Sequence, residues 1–158
     1  MGARHVVAGA ALALLVTGCG GRRAVELNPD QAVVGSRWNA ILATPAGLAG
    51  VVQVQGEAWM GAGTTPGQTI ASVTIRNAAP GGEHPWHVHR GQCGNDLGIF
   101  GPADAYGQLD VGSSGSASAT ATLPVPLPDS GAYMVNVHAS RANMGTIIAC
   151  GNLAPPIR

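Results

Sequence analysis

The chain has no lysine. Its 8 basic residues are all arginine, matched by 8 acidic ones, and charged side chains make up 10% of 158 residues. A neutral chain of this kind lacks the basic footprint of a nucleic-acid binder, and it lacks the excess charge of a disordered tail. Aromatic residues are also scarce, at three Trp, two Tyr and one Phe. A core must therefore be built from Val, Ile, Leu and Ala. No apolar run reaches the ~20 residues that a membrane-spanning helix needs. No histidine lies between Cys93 and His138. What is abundant is glycine, at 24, and proline, at 11. With β-branched runs between them, these predict short strands joined by turns rather than a helix bundle. The length suits one domain.

Residues 1–19 read as an export signal. Arg4 supplies a positive start, and an apolar run from Val6 to Val16 ends in Val16-Thr17-Gly18-Cys19. The run is too short to span a ~30 Å hydrocarbon core. Its ending resembles a bacterial lipobox, in which the cysteine is acylated and becomes the new N-terminus. A plain secretory signal with an incidental Cys19 is the other reading. Gly20 follows, so the Asp that commonly retains such lipoproteins at the inner membrane is absent. The expected location is the periplasm or cell envelope, with a lipid anchor in the outer membrane as the membrane partner. Residues 20–36 read as a flexible tether and 37–158 as the folded domain. Removal of Cys19 leaves Cys93 and Cys150, an even pair in an oxidising compartment. A bridge between them would close a long loop, worth roughly 4 kcal/mol in the chain-entropy model; two buried free thiols are the alternative.

Seven segments read as strands: 38–44, 50–59, 69–77, 84–90, 114–123, 131–139 and 145–151. Ala71, Val73 and Ile75 alternate with Ser72, Thr74 and Arg76, and Ala117, Ala119, Ala121 and Leu123 alternate with Ser116, Ser118, Thr120 and Thr122. Period two marks antiparallel strands with one wet face. Turn signals such as Thr65-Pro66-Gly67, Ala79-Pro80-Gly81-Gly82 and Pro128-Asp129-Ser130-Gly131 separate them. The expected fold is all-β, a Greek-key barrel or sandwich of about seven to eight antiparallel strands. Residues 91–113 lack periodicity and are expected to form one long loop.

Histidine carries the visible chemistry. Beyond the signal, His84, His87, His89 and His138 remain, three of them in Glu83-His84-Pro85-Trp86-His87-Val88-His89. Alternate residues of a strand share a face about 6.6 Å apart, so His87 and His89 point together, with His84 on the face of Trp86 and Val88. In Tyr133-Met134-Val135-Asn136-Val137-His138, the core phase of Tyr133, Val135 and Val137 leaves Met134, Asn136 and His138 outward. All three candidate ligands thus fall on outer faces. An H-x-H pair with a third in-phase histidine favours copper or zinc; histidines without a metal role are the other reading. The methionines read as core or surface filler.

These segments also resemble a known family. His84-Pro85-Trp86-His87-Val88-His89-Arg90-Gly91-Gln92-Cys93 is similar to the H-G-F-H-V-H-x-x-G-x-C segment of copper/zinc superoxide dismutases. Val137-His138 is similar to that family's V-V-H, and Ile148-Ala149-Cys150-Gly151 to its closing L-A-C-G. The match spans roughly residues 50–153. It implies an eight-stranded Greek-key barrel, a disulfide between Cys93 and Cys150, copper ligands at His87, His89 and His138, and a non-ligand histidine beneath the site at His84. Its implied substrate is superoxide.

Departures are as informative. The family's bridging histidine and zinc ligands belong in the loop after the cysteine, where this chain has no histidine; Asp96, Asp104 and Asp110 alone cannot rebuild a zinc site. The family's guiding arginine is replaced by Ile147, and Arg141 is a candidate to stand in for it in steering the substrate. The expectation is therefore a copper-only or vestigial site, with zinc absent from the family position. A second, weaker resemblance is to the chordin-type (CHRD) domain, carried by Tyr133-Met134-Val135-Asn136-Val137-His138 and by His87-Val88-His89-Arg90-Gly91. It implies an extracellular interaction module without established catalysis.

Overall fold

The computed structural model describes residues 37–156. The export signal, Cys19 and the tether lie outside the described residues, as do the last two positions. Nine strands run β1 (Trp38–Ala43), β2 (Gln55–Ala62), β3 (Thr69–Arg76), β4 (Glu83–Gln92), β5 (Asn95–Ile99), β6 (Gln108–Asp110), β7 (Ala117–Leu123), β8 (Tyr133–Ser140) and β9 (Asn143–Leu153). They form one antiparallel sheet in the order β5-β4-β8-β9-β1-β2-β3-β7, with β6 pairing onto the start of β4. The sheet curls into a half-barrel. Strands β3 and β4 follow each other in the chain but lie far apart in the sheet, as do β7 and β8. Such non-adjacent returns give the Greek-key connectivity.

Alternation explains the inner face. Ala71, Val73 and Ile75 of β3 and Ala117, Ala121 and Leu123 of β7 are buried, with the intervening Ser and Thr turned outward. These side chains meet Trp38, Leu42, Met60, Trp86, Val88, Val135 and Val137 in one core. Fully burying an aliphatic side chain of this size contributes about 1.5–3 kcal/mol. Trp38 Nε1 donates to the Pro128 carbonyl at 3.1 Å, tying the strandless stretch before β8 to β1. Where β9 passes β1, a Cβ at Gly151 would collide with the Ile41 carbonyl, so only glycine permits that approach.

Two expectations need correction. The strand expected at 50–59 begins at Gln55, because residues 46–52 instead form a 3-10 turn and tight bridges. The region 91–113 is not a single loop: it holds β5, a 3-10 turn at Ala103–Ala105 and β6. Both strands are short edges of β4: β6 is too brief to show two full periods of alternation, and β5 is exposed along nearly its whole length. Glycines at positive φ recur through the first part of this region, at Gly91, Gly94, Gly98 and Gly101.

Candidate metal centre

β4 and β8 are neighbours, and their register sets the site. His87 lies opposite Asn136 and His89 opposite Met134. His138 is therefore the diagonal neighbour of His87, a separation from which long side chains reach each other. Irregular pairing of β8 with β9 on both sides of His138 re-aims this residue. The three rings form a near-equilateral triangle, with centroids 5.7 Å apart for His87–His89, 5.2 Å for His87–His138 and 5.8 Å for His89–His138. One nitrogen from each lies within 4.8 Å of the other two.

The three histidines do sit on the face opposite the core, as their phase requires, but that face is not wet. His87, His89 and His138 are 7%, 5% and 4% exposed, and Met134 and Asn136 beside them are buried too. The alternation rule assumes that one sheet face meets water. Here chain from the β4–β5 hairpin, from Ala103–Gly107 and from Met144–Ile147 surrounds that face.

Hydrogen bonds assign the ring nitrogens. His138 Nδ1 lies 2.6 Å from the Met144 carbonyl, which can only accept, so Nδ1 carries the proton and Nε2 keeps a lone pair. That Nε2 lies 3.1 Å from His87 Nδ1, which must then donate to it. His89 Nδ1 faces the Asp96 carboxylate at 2.9 Å, leaving its buried Nε2 without a partner. The facing atoms are thus His87 Nδ1, His89 Nε2 and His138 Nε2; to ligate an ion, His87 would carry its proton on Nε2 instead, which frees the Nδ1 lone pair. An ion with metal–nitrogen bonds near 2.0–2.1 Å needs its ligand atoms roughly 3.5 Å apart, so small ring rotations bring this set to coordination distance. A buried, partnerless imidazole nitrogen aimed at two others fits a metal.

His84 lies outside the three-histidine group. Its Nδ1 lies 2.9 Å from the Ala139 carbonyl and 3.2 Å from that of His138, so it secures the backbone just where the third histidine is presented. The disulfide joins Cys93 to Cys150 across a sequence separation of 57. It anchors the turn after β4 to β9. Arg141 lies at the rim of a cleft of about 530 Å³ shared with His87 and Tyr106, where its Nε donates to Gln108 Oε1 at 3.1 Å. On the other side, His138, Asp96, Met134 and Met144 line a cavity of about 890 Å³.

Two neighbours of the site were not singled out from sequence. Asp96 has no local motif to mark it, because its role depends on the β4–β5 hairpin. Tyr106 packs edge-on against His87 at 5.1 Å and Trp86 at 5.2 Å, and its hydroxyl donates to the Phe100 carbonyl at 2.6 Å. Burial raises its pKa further, so it stays protonated.

Burial disfavours the charged form of His87 and His138. The His87 pKa falls from 6.5 to about 4, first through desolvation and then through repulsion from His138 and His89. Burial likewise lowers His138. For Asp96, burial acts upward, but the Gly98 N–H and His89 more than offset it, and its pKa is lowered. Between pH 6.5 and about 4 an unfolded His87 binds a proton that the folded one refuses, so the unfolded state gains as pH falls. Stability is complete above pH 6.5 and is expected to fall by on the order of 2 kcal/mol as pH drops to about 4. Thermal melting in a chelating buffer across this window checks it; a flat profile contradicts the burial argument.

Among the described residues, no helix is long and apolar enough to cross a membrane. No protein-family model matches the chain, and no curated protein matches it.

Proposed function

We propose that this protein binds copper through His87, His89 and His138 and acts on superoxide at the cell envelope, as a superoxide dismutase-like barrel with a copper-only centre. The observation that carries the reading is the convergence of three buried imidazoles, one nitrogen of each lying within 4.8 Å of the others. The donor set favours copper, because three imidazoles and no carboxylate suit trigonal copper(I). The Asp96 carboxylate is engaged with His89 Nδ1 and stands behind that ring. Bound copper would supply one-electron redox chemistry.

The protein's own part is to orient and to admit. The Met144 carbonyl and Asp96 hold two rings with a nitrogen turned inward, and His84 secures the backbone of the third position. Copper(II) prefers four ligands in a tetragonal arrangement, so the three histidines alone would leave one position to be filled from outside the triad. Arg141 places a positive charge at the rim of the cleft beside His87, opposed by Asp104 in the same lining. A single exposed arginine steers weakly compared with a focused charged funnel, so turnover below that of a fully equipped dismutase is expected.

The test starts from protein extracted from the membrane fraction, where a lipid anchor at Cys19 would hold it; recovery in the soluble fraction removes the anchor. Copper near one equivalent, together with superoxide consumption well above that of free copper, supports the enzyme reading. Tight copper(I) binding without that rate identifies a non-catalytic copper-binding protein. No bound metal at all favours the CHRD-like interaction module.

A further inference from the structure

The three histidines are not held alike. His138 is oriented by a neutral carbonyl, whereas both carboxylate oxygens of Asp96 lie 2.9 Å from His89 Nδ1. His89 is thus the member of the triad that hydrogen-bonds to a charged group. The carboxylate is itself fixed. Its Oδ1 accepts the Gly98 N–H at 2.7 Å, and β5 pairs Asp96 with Gly91. Gly91 adopts φ +102° and lies so close to the Asn95 carbonyl that a Cβ would collide with it, which permits the chain to fold back over His89. The intervening turn is tied down twice, by the Cys93–Cys150 bridge and by the Cys93 N–H donating to Asn152 Oδ1 at 2.8 Å.

We infer that Asp96 is a positioning residue of the metal centre: its carboxylate locks His89 in the tautomer that turns Nε2 toward the ion and biases the centre toward the more highly charged metal state. The inference rests on the metal-binding reading above. The physical reason is twofold. An N–H donated to a carboxylate raises the basicity of the opposite nitrogen and fixes the ring, a contribution typically worth 10–100-fold in metal affinity. A negative charge behind the ligand also stabilises copper(II) more than copper(I), since the attraction grows with the charge on the ion. Solvent reaches the Asp96 side chain, which is 47% exposed, so screening keeps this second effect near tenfold.

Two variants separate these effects. Asp96→Asn keeps an oxygen to accept from His89 and from Gly98 but removes the charge; Asp96→Ala removes both. Nitrogen NMR of the protein without added metal should show His89 with Nδ1 protonated in wild type and Asp96→Asn, and a tautomer mixture in Asp96→Ala. Copper(II) affinity should fall 10–100-fold in Asp96→Ala. In Asp96→Asn, copper(II) should weaken about tenfold relative to copper(I), which is a rise of ~59 mV in midpoint potential for a one-electron couple. A merely structural role for Asp96 would move melting temperature but not the potential of a folded Asp96→Asn protein. Unchanged affinities and potential in both variants, with His89 still Nδ1-protonated in Asp96→Ala, overturn the inference. Failure of the wild type itself to bind copper overturns the metal reading, and this role with it; the NMR arm then reports the tautomer lock separately.

Discussion

Replacing His138 with alanine is expected to lower copper affinity by ~10²-fold or more while the barrel stays folded. Structural sites with four ligands bind zinc with about 10–16 kcal/mol, or roughly 3 kcal/mol per ligand, and each 1.4 kcal/mol is tenfold. A triad has no spare imidazole to cover the loss. The fold should tolerate the change, because His138 lies outside the apolar core. Its removal leaves the Met144 carbonyl without its 2.6 Å donor, a cost of about 1–3 kcal/mol. His84→Ala is the informative contrast. It removes the bonds that secure residues 138 and 139 but no donor atom, so it should lower melting temperature more than copper stoichiometry. Copper titration alongside melting curves distinguishes the two; equal affinity in wild type and His138→Ala would exclude the triad as the binding site.

Removing the disulfide should be the largest single loss of stability. The Cys93–Cys150 bridge closes a 57-residue separation, and the chain-entropy model assigns such a loop roughly 4 kcal/mol. Native stabilities are only about 5–15 kcal/mol, so the double variant Cys93→Ser, Cys150→Ser should lie near its folding limit at moderate temperature. The effect reaches the metal centre as well. The bridge holds the turn from which Asp96 extends to His89, so loosening it releases that carboxylate and should weaken copper binding even where the barrel remains folded. Denaturant unfolding of oxidised wild type and the double variant measures the first effect. A difference below about 0.5 kcal/mol would show that packing alone sets this loop in the folded state and that little entropy is removed from the unfolded one.

The fold was legible where the chain alternates. β3 and β7 carry Ala, Val, Ile and Leu against Ser and Thr, and both faces came out as written. It was illegible at β5 and β6, because an edge strand of three to five residues gains its hydrogen bonds from β4 and needs no pattern of its own. The boundary of β2 was misplaced for a related reason: Val51, Val52 and Val54 favour extended structure, yet a 3-10 turn and tight bridges take up residues 46–52.

The sequence by itself determined the all-β class, the inner faces of the long strands and the identity of the three histidines, since spacing along a strand sets which side chains share a face. Their burial, their assembly into one triangle and the carboxylate behind His89 were decided only by tertiary structure. Those properties depend on which strands become neighbours and on what covers the outer face, and both arise from contacts between residues distant in the chain. Side-chain period records the direction a residue points; it holds no information about what waits there.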